Sequence, residues 1–212
     1  INWAIKSNMA SVFTDCPHRK KLGWLEEVHL MGSSIKYNYD IASLCRKLVK
    51  DMINAQTKDG LVPDIAPEFV QFDGGFRDSP EWGSNSIILP WYLYQWYGDR
   101  QVLEEAYPMM QRYAGYLEKK SSGYILSHGL GDWYDIGPKN PGESQLTPKG
   151  VTATAIFYYD LSILDKVAKV LDKQQHALKY EAIAEKVRGA FNKTFFNKTT
   201  MQYATGSQTA NA

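Results

Sequence analysis

Apolar side chains recur every three or four positions in five separate stretches of this 212-residue chain. This spacing is typical of α-helices that bury one face. Strand signals are weak, and only residues 195–205 have the pattern of a small hairpin. The sequence therefore predicts an all-α fold. The predicted helices are 33–54, 84–97, 100–119, 151–171 and 176–191.

Turn and cap residues fix several of the predicted helix ends. Ser33 or Ser34 is suited to cap the first helix. Pro90 is expected to bend the very apolar second helix. Gly98-Asp99 reads as the end of that helix followed by the cap of the next one, and Asp172-Lys173 reads as a tight turn between the last two helices.

Long loops rich in glycine and proline separate the helices. They cover residues 55–80 and 121–150, with a further irregular segment around 14–29. Loops of this length inside a compact domain usually carry function. We therefore expect helical hairpins in series, with the functional residues in the loops.

A tryptophan lies beside a carboxylate and a glycine in each of these loops. The three stretches are Gly23-Trp24-Leu25-Glu26, Glu81-Trp82-Gly83 and Gly131-Asp132-Trp133. Their spacing is about one helix pair plus a loop, and stacked hairpins present such loops at one end. The pattern therefore predicts a single pocket, although tryptophan also occurs in helix-joining turns as core filler.

A pocket of tryptophans and carboxylates suits a neutral carbohydrate. The chain has 14 Tyr, 8 Phe and 6 Trp, and its formal net charge is +1, so nothing in the bulk charge points to a nucleic acid or a membrane surface. Hydrolysis of a glycoside requires two carboxyl groups. The candidate acids are Asp15, Glu26, Glu27, Asp78, Glu81, Asp132 and Asp135.

Four basic residues follow Asp15 in the sequence. The planar guanidinium of Arg19 can hold a sugar hydroxyl or pair with Asp15. His18, Lys20 and Lys21 can equally be solvated surface charges.

Metals, cofactors and a membrane span are not indicated. The two cysteines cannot form a disulfide framework or a zinc site, and the four histidines lack the spacing of a local metal site. No run of 18 apolar residues is present. The ends look like those of a piece from a longer chain, and we favour a periplasmic or extracellular location over a cytoplasmic one.

Several blocks of the sequence resemble the catalytic domain of bacterial α-L-rhamnosidases, glycoside hydrolase family 78. The blocks are TDCPHRKKLGWLEEVH (14–29), SPEWGS (79–84), PWYLYQWYGDR (90–100), SHGLGDWYDIGP (127–138), LTPKGVTATAIFYYDL (146–161) and YATGSQTANA (203–212). The resemblance implies an (α/α)6 toroid, usually flanked by β-sandwich domains, that hydrolyses terminal α-L-rhamnosides with inversion.

A toroid of this kind needs about twelve helices, and the chain holds about six or seven. Residues 1–212 are therefore expected to be the N-terminal portion of the catalytic domain, with an exposed apolar edge. The rest of the toroid and the β-sandwich domains would lie outside the chain. The expected partners are a rhamnose-containing oligosaccharide, polysaccharide or glycoside and the missing C-terminal half of the same protein.

The resemblance also assigns roles to single residues. Asp15 and Arg19 match the rhamnose-binding Asp and Arg of the family, and Trp24 matches a pocket tryptophan. The acidic residue that closes the motif falls at Glu26 or Glu27. Trp82 and Trp133 are similar in placement to further aromatic walls, and Glu81, Asp132 and Asp135 are the substrate-binding candidates beside them.

One position departs from the family pattern. The usual motif reads like DCPxREKLGW, and the Glu after its Arg is the general acid, whereas this chain has Lys20 there. A lysine is cationic at neutral pH and is no substitute for a carboxylic acid. It also places positive charge beside an oxocarbenium-like transition state. The family's general base falls beyond residue 212.

Three functions remain open from the sequence. The first is an α-L-rhamnosidase-like hydrolase. The second is a lyase that cleaves L-rhamnose-α-1,4-D-glucuronate by β-elimination, in which a cationic set neutralises the uronate carboxylate. The third is an inactive carbohydrate-binding homologue. The candidate catalytic residues are His18, Arg19, Lys20 and Glu27.

Overall fold

The computed structural model describes residues 1–212, and nearly all of its regular structure is helical. A 3₁₀ turn covers Gly74–Phe76, and strands β1 (Phe196–Asn197) and β2 (Gln202–Tyr203) form a small antiparallel hairpin. The α-helices are α1 (Asn2–Asn8), α2 (Leu25–Lys36), α3 (Ala42–Ala55), α4 (Pro80–Gly83), α5 (Asn85–Tyr97), α6 (Arg100–Lys120), α7 (Lys149–Val170), α8 (Gln174–Phe195) and α9 (Gln208–Asn211).

The six long helices form three hairpins, α2–α3, α5–α6 and α7–α8. Helix α5 packs against α2 on one side and α7 on the other, while α3, α6 and α8 form a second, outer row. Each long loop therefore leads into the N-terminal end of an inner helix. The predicted all-α hairpin fold is confirmed, and the chain contains about half of the helices of a twelve-helix toroid.

The prediction of one helix over 33–54 is wrong. Helix α2 begins eight residues earlier, at Leu25, and ends at Lys36, so both serines proposed as caps lie inside it. A separate helix, α3, starts at Ala42, whose backbone N–H donates to the Asp40 carboxylate at 3.1 Å. Periodicity missed the break because apolar residues continue through it at helical spacing.

The other predicted junctions are confirmed. Gly98 adopts the left-handed conformation (φ 68°) and donates its N–H to Tyr94, which ends α5. Asp99 then caps α6 by accepting the Val102 N–H at 3.1 Å. Asp172, also left-handed, forms the turn between α7 and α8.

A single core fills the space between the two rows of helices. Tyr113 of α6 and Phe157 of α7 are fully buried in it. A side chain at Gly83 would collide with the Tyr113 ring, so a glycine is required where α4 meets α6. This close approach holds α4, and with it Glu81 and Trp82, against the core.

Large apolar side chains are exposed on the two end helices of the inner row. They include Leu30 and Met31 on α2 and Tyr158 and Tyr159 on α7. These are the faces that adjacent hairpins would cover in a closed ring, which agrees with the predicted apolar edge. None of the helices combines the length and apolarity of a bilayer span.

Candidate active site

The loops at the N-terminal ends of α2, α5 and α7 enclose one small cavity. Trp24, Trp82 and Trp133 all line it, although they are far apart in the sequence. Its free volume is about 20 Å³, which is room for about one water molecule. The other lining residues are Lys20, Glu27, Phe76 and Leu130.

Two phenylalanines that sequence reasoning missed complete the aromatic wall. Phe72 stacks on Trp24 with ring centroids 5.5 Å apart, and Phe76 lies edge-on between Trp24 and Trp133, at 6.5 and 5.4 Å. In the sequence, the Gly74-Gly75 pair was the signal that pointed to this wall. Gly75 packs on the backbone of Gly129, and a side chain there would be in close contact with it. That contact joins two loops 54 positions apart.

Glutamates occupy the first turns of the helices that enter the site. Glu26 and Glu27 lie in the first turn of α2, and Glu81 lies in the first turn of α4. Helix N-termini favour negative charge, which accounts for the placement of acids here. Glu81 is only 7% exposed, and the Thr152 hydroxyl is the side-chain donor that acts on its carboxylate.

Several polar atoms of the site lack protein partners. They are Oδ1 of Asp15, Nε1 of Trp24 and Oε2 of Glu27. Buried polar atoms are nearly always paired in folded proteins. The unpaired atoms around this cavity can therefore still form hydrogen bonds to solvent or to a ligand.

Burial and repulsion between neighbouring carboxylates raise the pKa values of these acids. Burial, followed by the charges of Glu27, Glu81 and Asp132, raises the pKa of Glu26 to about 8. Burial also raises the pKa of Glu27, against an opposing effect of the Lys20 ammonium, and burial raises the pKa of Glu81. At neutral pH Glu26 therefore favours its neutral, proton-donating form.

Lys20 closes the cavity on one side. Its Nζ lies 3.4 Å from the Asp15 carboxylate and 5.3 Å from the centre of the Trp24 ring, and its side chain is half exposed. The Lys20 backbone N–H donates to Cys16 Sγ at 3.2 Å, and Lys21 adopts a left-handed conformation that turns the loop.

Arg19 does not pair with Asp15, which is one of the two roles that the sequence allows it. Asp15 pairs with Lys20 instead, and His18 and Arg19 are exposed on the turn of the loop. The turn over residues 17–20, in which the backbone N–H groups of Lys20 and Lys21 donate to Cys16, carries position 20 back toward the carboxylate.

Two predicted acids hold loops in place. Asp135 accepts the backbone N–H groups of Gln145 and Leu146 at 2.9 and 2.8 Å, which closes the 135–146 loop. Asp132 accepts the Thr209 hydroxyl at 2.6 Å while remaining close to Glu26. No group of His, Cys, Asp and Glu side chains has the arrangement of a metal site.

Three side chains from other elements surround the Asp78 carboxylate. It accepts the Tyr116 hydroxyl at 2.6 Å and the Lys120 ammonium, and His128 Nε2 lies 3.3 Å from its second oxygen. Burial alone would raise its pKa, but these donors outweigh burial and lower the pKa to about 2. Asp78 therefore ties the 74–79 and 126–130 loops to α6.

Helical hairpins in series, with an aromatic and acidic cavity at one end, define a domain of the helical-toroid class. The chain belongs to the family described as the bacterial alpha-L-rhamnosidase 6 hairpin glycosidase domain, whose model matches residues 1–212.

Two relatives of this chain are named α-L-rhamnosidase. An α-L-rhamnosidase of Streptomyces avermitilis is 34% identical over 197 residues, which cover 92% of this chain and 18% of that protein. One from Formosa agariphila is 29% identical, over 99% of this chain and 23% of that protein. The chain thus spans about a fifth of the length of these relatives.

Solved structures show the same fold. The α-L-rhamnosidase from Dictyoglumus thermophilum superposes with a TM-score of 0.86 at 34% identity, over 93% of this chain and 22% of that one. The Streptomyces avermitilis enzyme complexed with L-rhamnose superposes with a TM-score of 0.81 at 33% identity, over 93% of this chain and 18% of that one.

Proposed function

We propose that residues 1–212 are the N-terminal portion of an (α/α)6 catalytic domain that binds a terminal α-L-rhamnose and hydrolyses its glycosidic bond. The remaining hairpins, flanking β-sandwich domains and a general base would lie outside this chain. The observation that carries the proposal is the three-tryptophan cavity, beside which one carboxylate oxygen of Glu27 and one of Asp15 have no hydrogen-bond partner. It lies in a chain that a glycosidase family model matches from end to end.

The roles follow from the contacts. Trp24, Trp82 and Trp133 offer apolar faces to the sugar ring, while Asp15 and Glu27 offer unpaired oxygens to its hydroxyls. Such a mixture of apolar walls and few polar groups is typical of small-ligand sites. Glu26, Glu81 and Asp132 extend the acidic side of the site.

Lys20 pairs with Asp15 and lies over the ring of Trp24, so a sugar on these two residues would displace its ammonium. Because the Lys20 side chain is half exposed and makes a single ion pair, moving it into solvent costs little. When the sugar binds, one of its hydroxyls therefore replaces the Lys20 ammonium at the Asp15 carboxylate.

The test uses the full-length protein with an aryl α-L-rhamnoside and measures release of the aryl alcohol and of free rhamnose. The proposal predicts both products, and it predicts that Trp24→Ala and Trp133→Ala each weaken L-rhamnose binding at least tenfold by calorimetry. L-fucose serves as the control sugar. Equal binding of the two sugars, or no release of rhamnose, contradicts the proposal.

A second candidate is β-elimination of rhamnose linked α-1,4 to a glucuronate, and the position of Lys20 favours it. Lys20 lies at the cavity and Arg19 is exposed on the same turn, and these basic side chains are available to neutralise a uronate carboxylate. A base removes the C5 proton, a double bond forms between C4 and C5, and the C4–oxygen bond breaks. The departing rhamnosyl oxygen takes a proton.

Ultraviolet absorbance separates the two reactions. Elimination yields free rhamnose together with an unsaturated uronate that absorbs, whereas hydrolysis yields rhamnose alone. Rhamnosyl-α-1,4-glucuronate is the substrate for this comparison. Binding of the disaccharide with neither product would identify the third candidate, an inactive carbohydrate-binding homologue.

A further inference from the structure

We propose that Asp64 and Ser79, two buried polar residues outside the cavity, are positioning residues that hold its aromatic walls in place for the sugar. The inference rests on the proposed binding of a terminal rhamnose at this cavity. Neither side chain lines the cavity, and neither is among the site residues that the sequence predicts. Both therefore act on the sugar only through the residues to which they are hydrogen-bonded.

The backbone at Asp64 joins the loop before α4 to the start of α2. The Asp64 carbonyl accepts the Leu25 N–H at 2.9 Å. The next residue, Ile65, pairs with Trp24 as an isolated antiparallel bridge. The position of the first tryptophan is therefore tied to the chain segment that begins at Asp64.

The Asp64 carboxylate ties the second tryptophan to the same segment. Its Oδ1 accepts the backbone N–H of Ser79 at 2.9 Å, directly before α4. The Ser79 hydroxyl also acts on this carboxylate as a donor. The Ser79 carbonyl accepts the Trp82 N–H at 3.0 Å. One buried carboxylate thus links the first turn of α4 to the first turn of α2.

The Ser79 hydroxyl connects the two remaining loops. Its oxygen lies 2.6 Å from the Gly75 carbonyl, to which it donates, and it accepts the Leu130 N–H at 2.8 Å. Phe76 directly follows Gly75, and Trp133 lies three residues after Leu130. Without this hydroxyl, a buried backbone N–H would lose its acceptor, which is costly.

Every apolar residue that lines the cavity is close to one of these bonds. These residues are Trp24, Phe76, Trp82, Leu130 and Trp133. Each lies within three positions of a residue that is hydrogen-bonded to Asp64 or Ser79. The loops also touch here, since a side chain at Gly129 would come within 3.1 Å of Ser79. The pair therefore sets the spacing of the walls that would contact the sugar ring.

Steady-state kinetics of Ser79→Ala in the full-length protein, with an aryl α-L-rhamnoside, test the inference. Displaced walls weaken binding of the substrate and of the transition state alike, which raises KM and leaves kcat nearly unchanged. We expect KM and the Kd of L-rhamnose to rise at least about tenfold, while kcat stays within about threefold. A merely structural role would lower the amount of folded enzyme, and so the apparent kcat, without changing KM.

Ser86→Ala is the matched control. Ser86 is as buried as Ser79, but its hydroxyl has no hydrogen-bond partner. The same substitution there should leave KM, kcat and the Kd of L-rhamnose unchanged.

A second pair of variants tests the carboxylate and serves where Ser79→Ala does not fold. Asp64→Asn keeps an oxygen that can accept the Ser79 N–H, whereas Asp64→Ala does not. KM should therefore rise about tenfold in Asp64→Ala and stay within about threefold of wild type in Asp64→Asn. Equal effects of the two substitutions would contradict the inference, and so would loss of folding in both alanine variants, because the pair would then be structural.

The outcomes separate this inference from the proposed function. An unchanged KM in Ser79→Ala, or a loss confined to the apparent kcat, overturns the positioning role while the wild-type protein still hydrolyses the rhamnoside. A wild-type protein that releases no rhamnose overturns the proposed function, and the inference that rests on it.

Discussion

Two loop aspartates at the same end of the molecule are equally buried and have opposite surroundings. Asp78 and Asp15 each have 15% of their side chain exposed. Asp78 meets a tyrosine hydroxyl, a lysine and a histidine from two other segments. Asp15 has one ion pair, to a half-exposed lysine, and its Oδ1 has no partner.

The difference separates an anchor from a binding group. A carboxylate surrounded by donors from several elements stabilises the fold. A carboxylate with a free buried oxygen reduces stability until something binds to it. Glu27, with its unpaired Oε2, belongs with Asp15 in this respect, so the tryptophan cavity with the adjoining first turn of α2 is the unsatisfied region, and the Asp78 carboxylate, with three donors around it, is the better paired one.

The largest effect is expected at Glu26, the most perturbed acid of the unsatisfied region. Its pKa is raised from 4.5 to about 8, so the native state binds more protons than the unfolded state between those values. Stability therefore falls as pH rises through that window. Glu26→Gln should abolish the loss and add about 3 kcal/mol at pH 9, after allowance for partial solvent screening.

The measurement is the unfolding midpoint of the toroid in the full-length protein, wild type against Glu26→Gln, from pH 4 to 9. The two proteins should agree near pH 4 and diverge above it. Glu181→Gln, at an exposed position on α8, is the control and should follow the wild type throughout. A constant difference at every pH would mean that Glu26 is not the group that titrates.

The fold was predictable from the sequence to a large extent, because helical periodicity and end signals are local. Gly98 and Asp99 specified a junction by themselves, and the structure has it at those residues. The break at 37–41 escaped because apolar residues continue through it at helical spacing, although Asp40 caps the helix that follows.

The site was only partly predictable. The three tryptophans were found because each stands beside a glycine and an acid, and the structure brings them to one cavity. The partner of Asp15 was not predicted, because the turn closed on Cys16, which no sequence pattern marks, decides which cation faces the carboxylate. The loop-closing role of Asp135 depends on backbone N–H groups ten and eleven positions away, which no sequence pattern marks.

Removing the anchor should cost about 2 kcal/mol. Asp78→Asn keeps one acceptor but loses the negative charge that holds Lys120 and His128. Because the pKa of Asp78 is lowered from 3.8 to about 2, its stabilising effect is present above pH 4 and is lost as pH falls toward 2. Wild type and variant should therefore differ at pH 7 and converge in acid, as judged by urea unfolding. Equal stability at pH 7 would contradict the anchor role.

Asp15→Asn should change stability by less than about 1 kcal/mol, since a single partly exposed ion pair is lost. Its effect should appear in ligand binding, because the unpaired oxygen is the group offered to a sugar hydroxyl. We expect at least tenfold weaker L-rhamnose binding by calorimetry. A variant that binds normally but unfolds easily would place Asp15 with Asp78 among the anchors.

The smallest stability effect, within about 0.5 kcal/mol, is expected for Lys20→Met, because the lysine is half exposed and its ion pair is long. The affinity for L-rhamnose should nevertheless change. Lys20 occupies both the Asp15 carboxylate and the face of Trp24, so a sugar must displace it. Replacement by an uncharged side chain that leaves Asp15 free should strengthen L-rhamnose binding a few-fold by calorimetry. Weaker binding would mean that the ammonium contacts the sugar. That result would favour the elimination reaction, in which Lys20 takes part.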